Sequence, residues 1–117
     1  MMTTNSQNER TKHDVVRTAR YGGLEGRTYP AGYALHFDGT NYFVLKLWFQ
    51  CDRTYFISKN QGTGDQYTVF GRKIEEEGVP ARFLNPIGFA HTNEQMTHLE
   101  IVLPDLPKRY YMSLFPS

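Results

Sequence analysis

Apolar residues in this chain recur mostly at every second position, in short runs separated by turn-forming residues. In a strand, side chains i, i+2 and i+4 share a face, so this period reads as half-buried β-structure. "VVRTARY" from Val15 is the first such run, ended by Gly22, Gly23 and Gly26. "RTYPAG" reads as a connection, because Pro30 has no N–H to give to a ladder. "YALHF" and "NYFVLKLWF" then flank Asp38-Gly39-Thr40. Asp-Gly between aromatic and β-branched runs is a strong hairpin signal, which places the tip there.

The second strand of that hairpin reverses at Gln50-Cys51-Asp52 into "RTYFIS", and the polar loop "KNQGTGD" leads into "QYTVFGRKI". "EEEGVPARFLNP" reads as a long connection in which any short helix over Glu75 to Leu84 would be interrupted by Gly78 and Pro80. "IGFAHT", "HLEIVL" and "YYMSLF" complete the set. No segment sustains a 3.6-residue period and there is no internal repeat. The pattern predicts an all-β fold, a single small antiparallel sandwich or partly open barrel over residues 14–117. Polar residues 1–13 are expected to form a flexible tail.

Strand alternation also divides "NYFVLKLWFQCDRTYF" into two faces. Phe43, Leu45, Leu47 and Phe49 form a uniformly apolar one, expected to be core together with Leu99, Ile101 and Leu103. The other carries Tyr42, Val44, Lys46 and Trp48, with Arg53, Tyr55 and Ile57 expected beside it. Rings interleaved with cations can hold single-stranded nucleic acid by stacking and charge, so Tyr42, Lys46, Trp48, Arg53 and Tyr55 are the candidate binding face. The plainer reading makes the same rings a second core layer, with Lys46 reaching to its edge.

Composition narrows the picture. The 117 residues, 39% hydrophobic and 21% charged, suit one globular domain rather than a disordered chain. Thirteen Lys and Arg against twelve Asp and Glu leave a net charge of +1, too small for strong non-specific DNA binding, so any basic patch must be local. Cys51 is the single cysteine, which excludes an intrachain disulfide and a cysteine-based zinc site and favours a reducing, cytoplasmic compartment. There is no apolar run near the roughly 20 residues of a transmembrane helix, and the polar start is no secretory signal.

Candidate chemistry is sparse. His13, His36, His91 and His98 show no metal-ligand spacing, so neither a metal nor another cofactor is expected. Cys51 sits at an expected turn without a helix N-terminus to activate it as a nucleophile. "GTGDQY" lacks the lysine of a phosphate-binding loop. Glu75, Glu76 and Glu77 read as a solvated loop, or alternatively as an acidic patch for a basic partner. His98 and Glu100 are expected to point outward. A non-enzymatic protein is the expectation.

The C-terminal half, "DQYTVFGRKI" and "IGFAHTNEQMTHLEIVLPDLPKRYYMSLFP", resembles a family of small uncharacterised proteobacterial proteins encoded on plasmids and mobile elements. Tyr67, Val69, Phe70, Ile87, Gly88, Ala90, Leu99, Pro107, Tyr111 and Leu114 match its pattern. His91 stands where that family commonly has tryptophan, and the segment from Glu75 is longer. The resemblance implies an all-β fold and a mobile-element setting, and transfers no catalytic residue. The expected function is therefore a binding module acting on single-stranded nucleic acid or a host nucleoprotein complex. The alternatives are a protein–protein inhibitor directed at a host protein, such as an anti-CRISPR, and a small cytoplasmic enzyme.

Overall fold

The computed structural model of the protein describes residues 9–19, 23–62, 64–104, 106 and 109–117. Eight strands follow one another: β1 (Arg10–Thr18), β2 (Thr28–Phe37), β3 (Tyr42–Leu47), β4 (Tyr55–Lys59), β5 (Gln66–Ile74), β6 (Arg82–Thr92), β7 (His98–Val102) and β8 (Tyr110–Ser113). Each pairs antiparallel with the next, and β8 pairs back onto β1. The fold is all-β and antiparallel, and the sheet closes completely into a barrel. The tip between β2 and β3 is the expected one: Thr40 N–H donates to the Phe37 carbonyl, and Gly39 takes φ +86°, which a residue without Cβ adopts freely.

Register decides which residues fill the interior. Ala34 lies opposite Leu45, Leu45 opposite Tyr55, Ile57 opposite Val69, Ala90 opposite Ile101 and Leu99 opposite Met112. These residues are buried and form one continuous core. An eight-stranded barrel is just wide enough to be filled by side chains. Burying each large aliphatic side chain contributes roughly 1.5–3 kcal/mol. Where neighbouring backbones come closest the sequence supplies glycine: a Cβ on Gly32 would stand 2.1 Å from the Lys46 carbonyl oxygen.

Several expectations are corrected. β1 begins at Arg10, so the last residues of the expected tail are strand, and His13 is buried with Nδ1 donating to the Ser113 carbonyl at 2.8 Å. Residues 1–8 lie outside the described residues. Pro30 belongs to β2 rather than to a connection. It sits opposite Val16 beside a register shift, one of the few sheet positions that tolerate a missing N–H. Leu45, Leu47, Leu99, Ile101 and Leu103 are buried as expected, whereas Phe43 is only half-buried.

β3 stops at Leu47, and Trp48–Gln50 form a 3-10 turn, which breaks the alternation and leaves Phe49 57% exposed instead of core. No helix forms over Glu75 to Leu84: residues 75–81 are the connection, and β6 already begins at Arg82. β5 and β6 run on past their shared barrel section as a two-stranded arm. Phe83 of the arm packs on Phe70, Phe56 and Tyr42, with centroids 5.5, 6.1 and 5.0 Å apart, so the arm lies over the outer wall of β3 and β4.

Candidate nucleic-acid interface

The five residues of the expected aromatic-basic face do not share a surface. Tyr55 is 5% exposed inside the barrel, because β4 pairs it with Leu45 and alternation then turns Ile57 inward too. Its hydroxyl donates to Gln50 Oε1 and ties the 3-10 turn to the core. Tyr42 does face outward, but the arm covers it. Phe83 meets its ring edge-on, and Lys73 Nζ donates to its hydroxyl at 3.0 Å while lying 5.1 Å from the ring centroid. Burial opposes the charge of Lys73, but its hydrogen bonds to Glu75 and Tyr42 outweigh this and raise its pKa.

Lys46, Trp48 and Arg53 do come together. Lys46 Nζ donates to the Arg53 carbonyl at 3.1 Å and to Thr54 Oγ1 at 2.9 Å, bridging the start and end of the turn on which Trp48 stands. Trp48 is 57% exposed, and Arg53 is exposed as well. Next to Trp48 in the turn, Phe49 stacks on Tyr110 at 6.1 Å with 14° between the rings. Tyr110 pairs with Arg17 across the β1–β8 seam. The Arg17 guanidinium lies 4.5 Å from the Tyr29 ring centroid and that of Arg27 lies 5.7 Å from it.

This end of the barrel therefore carries a run of rings and cations: Arg27, Tyr29, Arg17, Tyr110, Phe49 and Trp48. Among the described residues of its loops and strand ends, Glu25 and Asp52 stand against Arg17, Arg27, Lys46 and Arg53. Burial raises the Tyr110 pKa, Tyr55 adds to the rise and Arg17 opposes it, so the phenol stays neutral in ordinary buffers. Sequence reasoning missed Arg17, Arg27 and Tyr29. The "RTY" triplet at Arg27 held the signal, but only the pairing of β2 with β3 brings it beside a turn some twenty residues downstream.

The alternative acidic patch is split. Glu75 is paired with Lys73, whereas Glu76 and Glu77 are exposed at the arm's tip beside exposed Val79. The outer wall of β6 to β8 holds a second charged group. Glu100 receives Arg109 at 2.6 Å and has His91 Nε2 at 3.6 Å.

Nearby His98 lies against Thr97 Oγ1 and the edge of Tyr111, and burial lowers its pKa below the ordinary 6.5. The unfolded chain then binds the proton more readily, so the stability held above about pH 6.5 is lost as pH falls through the lower folded value. His98→Gln is expected to flatten the pH dependence of the melting temperature below pH 6.5. An unchanged profile would show that His98 does not contribute to it.

Among the described residues no group of three or more His, Cys, Asp or Glu side chains could hold a metal ion, and no helix is long and apolar enough to cross a membrane. Cys51 is exposed in the turn. No protein-family model, curated protein or solved structure matches the chain.

Proposed function

We propose that this protein is a non-enzymatic binding module that takes single-stranded nucleic acid, free or within a nucleoprotein complex, on the Trp48 end of its barrel. The observation that carries this reading is the exposed pair Trp48 and Phe49, with Phe49 stacked on Tyr110, the strand partner of Arg17 in the Arg17–Tyr29–Arg27 stack. Every base presents a flat face to such rings, and the cations accompany the phosphates, so recognition would tolerate sequence. The resemblance of the C-terminal half supplies a plasmid, phage or integrated element as the setting.

Trp48 is the chain's single tryptophan, so its emission reports this surface without labels. Adding a short oligothymidine at low salt is expected to quench it. With a labelled oligonucleotide read by anisotropy, Trp48→Ala should weaken binding by roughly 1–3 kcal/mol and Arg53→Ala should lower the salt slope by about one. Unchanged Trp48 emission at low salt would overturn the reading. The arm would then carry the second one, a protein inhibitor of a basic partner, which rests on Glu76 and Glu77 standing exposed beside Val79 at its tip.

A further inference from the structure

The end of the barrel opposite Trp48 is open. The tips of the β2–β3 and β4–β5 connections border a cleft of about 710 Å³ lined by His36, Asn41, Phe43, Lys59, Gln61 and Tyr67 among others. That volume falls in the range of roughly 300–1,000 Å³ typical of small-molecule sites, and barrel mouths are a recurrent place for them. We infer that this mouth is a binding site for a small planar aromatic anion, separate from the nucleic-acid surface.

The depth and shape of the cleft limit what it takes. Leu45, Ile57 and Val69 are fully buried beneath it, so a ligand enters no further than the mouth. Phe43 and Tyr67 pack half-buried against this core and give the mouth an apolar floor. Phe43 is held in place: His13 meets it edge-on at 5.5 Å and His36 lies at 5.4 Å with a 48° tilt. A preset ring favours a flat apolar group that can lie against it at little cost in ordering.

Polar groups orient the rest of the ligand. His36 Nε2 donates to the Thr40 carbonyl at 2.7 Å, which leaves Nδ1 as the acceptor of the neutral ring. Lys59, exposed at the end of β4, forms no ion pair among the described residues. It supplies a cation that is not already neutralised. The Asp65 charge acts on Tyr67, whose pKa is raised by burial first and by Asp65 second. Lys59 stands directly opposite Tyr67 across the β4–β5 ladder, so an anionic group is drawn to Lys59 at the rim of the cleft. A ring carrying one carboxylate and a neighbouring hydroxyl meets all these requirements.

Salicylate is the probe, titrated into the ¹⁵N-labelled full chain. Saturable amide shifts are expected at Asn41, Gly62, Gly64 and Tyr67. Lys59→Gln should weaken binding about tenfold, as should replacing salicylate by uncharged salicylamide, because each removes a charge-assisted contact. Trp48→Ala should leave salicylate binding unchanged, so failure of the nucleic-acid reading and failure of this one are told apart. Absent or unsaturable shifts at the mouth, shifts centred on Trp48, or equal affinity of the Lys59→Gln protein would each overturn the inference.

Discussion

Gly32→Ala is expected to destabilise the protein by about 3 kcal/mol or more, among the largest effects of any single methyl group added to it. The added Cβ would meet the Lys46 carbonyl oxygen at 2.1 Å and the Leu47 Cα at 3.0 Å. Both are backbone atoms of the paired strand, so no side chain can swing away, and relief requires β2 and β3 to part. β2 is already irregular here, since Gly32 sits beside the register shift opposite Val15. Gly64→Ala is the matched control, because a Cβ there meets nothing within 4 Å. Denaturant unfolding of the two variants checks the prediction. Equal midpoints would mean that the strands separate more easily than their packing implies.

Leu45→Ala should cost about 2–5 kcal/mol. The residue is fully buried between Ala34 and Tyr55 on the adjoining strands. One neighbour is already an alanine, and the other is held by its hydroxyl to Gln50, so neither moves readily into the space left behind. Val44→Ala, one position away on the outer wall, should lose less than half as much. A similar loss at both positions would show that the arm over the outer wall packs as tightly as the barrel interior.

The barrel strands were legible because their signal is local. Asp38-Gly39 marks a tip, and Leu99 and Ile101 alternate with polar partners, so either can be read from a window of five residues. What escaped the sequence is the phase change at Trp48. A strand drawn through Trp48 and Phe49 sends Phe49 inward, and nothing in "LKLWFQCD" announces a 3-10 turn. The placement of Tyr55 depends on register, which the turn sets and alternation then propagates. β6 was shortened for a similar reason: Asn85 at φ 60° and Pro86 resemble a connection until the arm's partner strand supplies their context. The candidate site was half legible, since Lys46, Trp48 and Arg53 share one turn. Tyr29 joins them through the pairing of β2 with β3 and Arg17 through its own pairing with Tyr29, and only Tyr110 needs the closure of the barrel to reach Phe49.

That closure rests on three residue pairs, Val15 with Met112, Val16 with Tyr111 and Arg17 with Tyr110. Every other ladder joins strands that are neighbours along the chain. Hairpin by hairpin, the meander can therefore assemble through short loops, while the seam must bring together residues from far apart in the chain and bears most of the loop-closure entropy. Zipping the seam is accordingly expected to be the late step in folding. Until it is complete, β1 and β8 present free edges able to pair with another chain, so mutations at Val15 or Met112 would surface first as slow folding and association. Tyr110 belongs to both the seam and the ring-and-cation run at the Trp48 end, so that surface is complete only once the seam has closed.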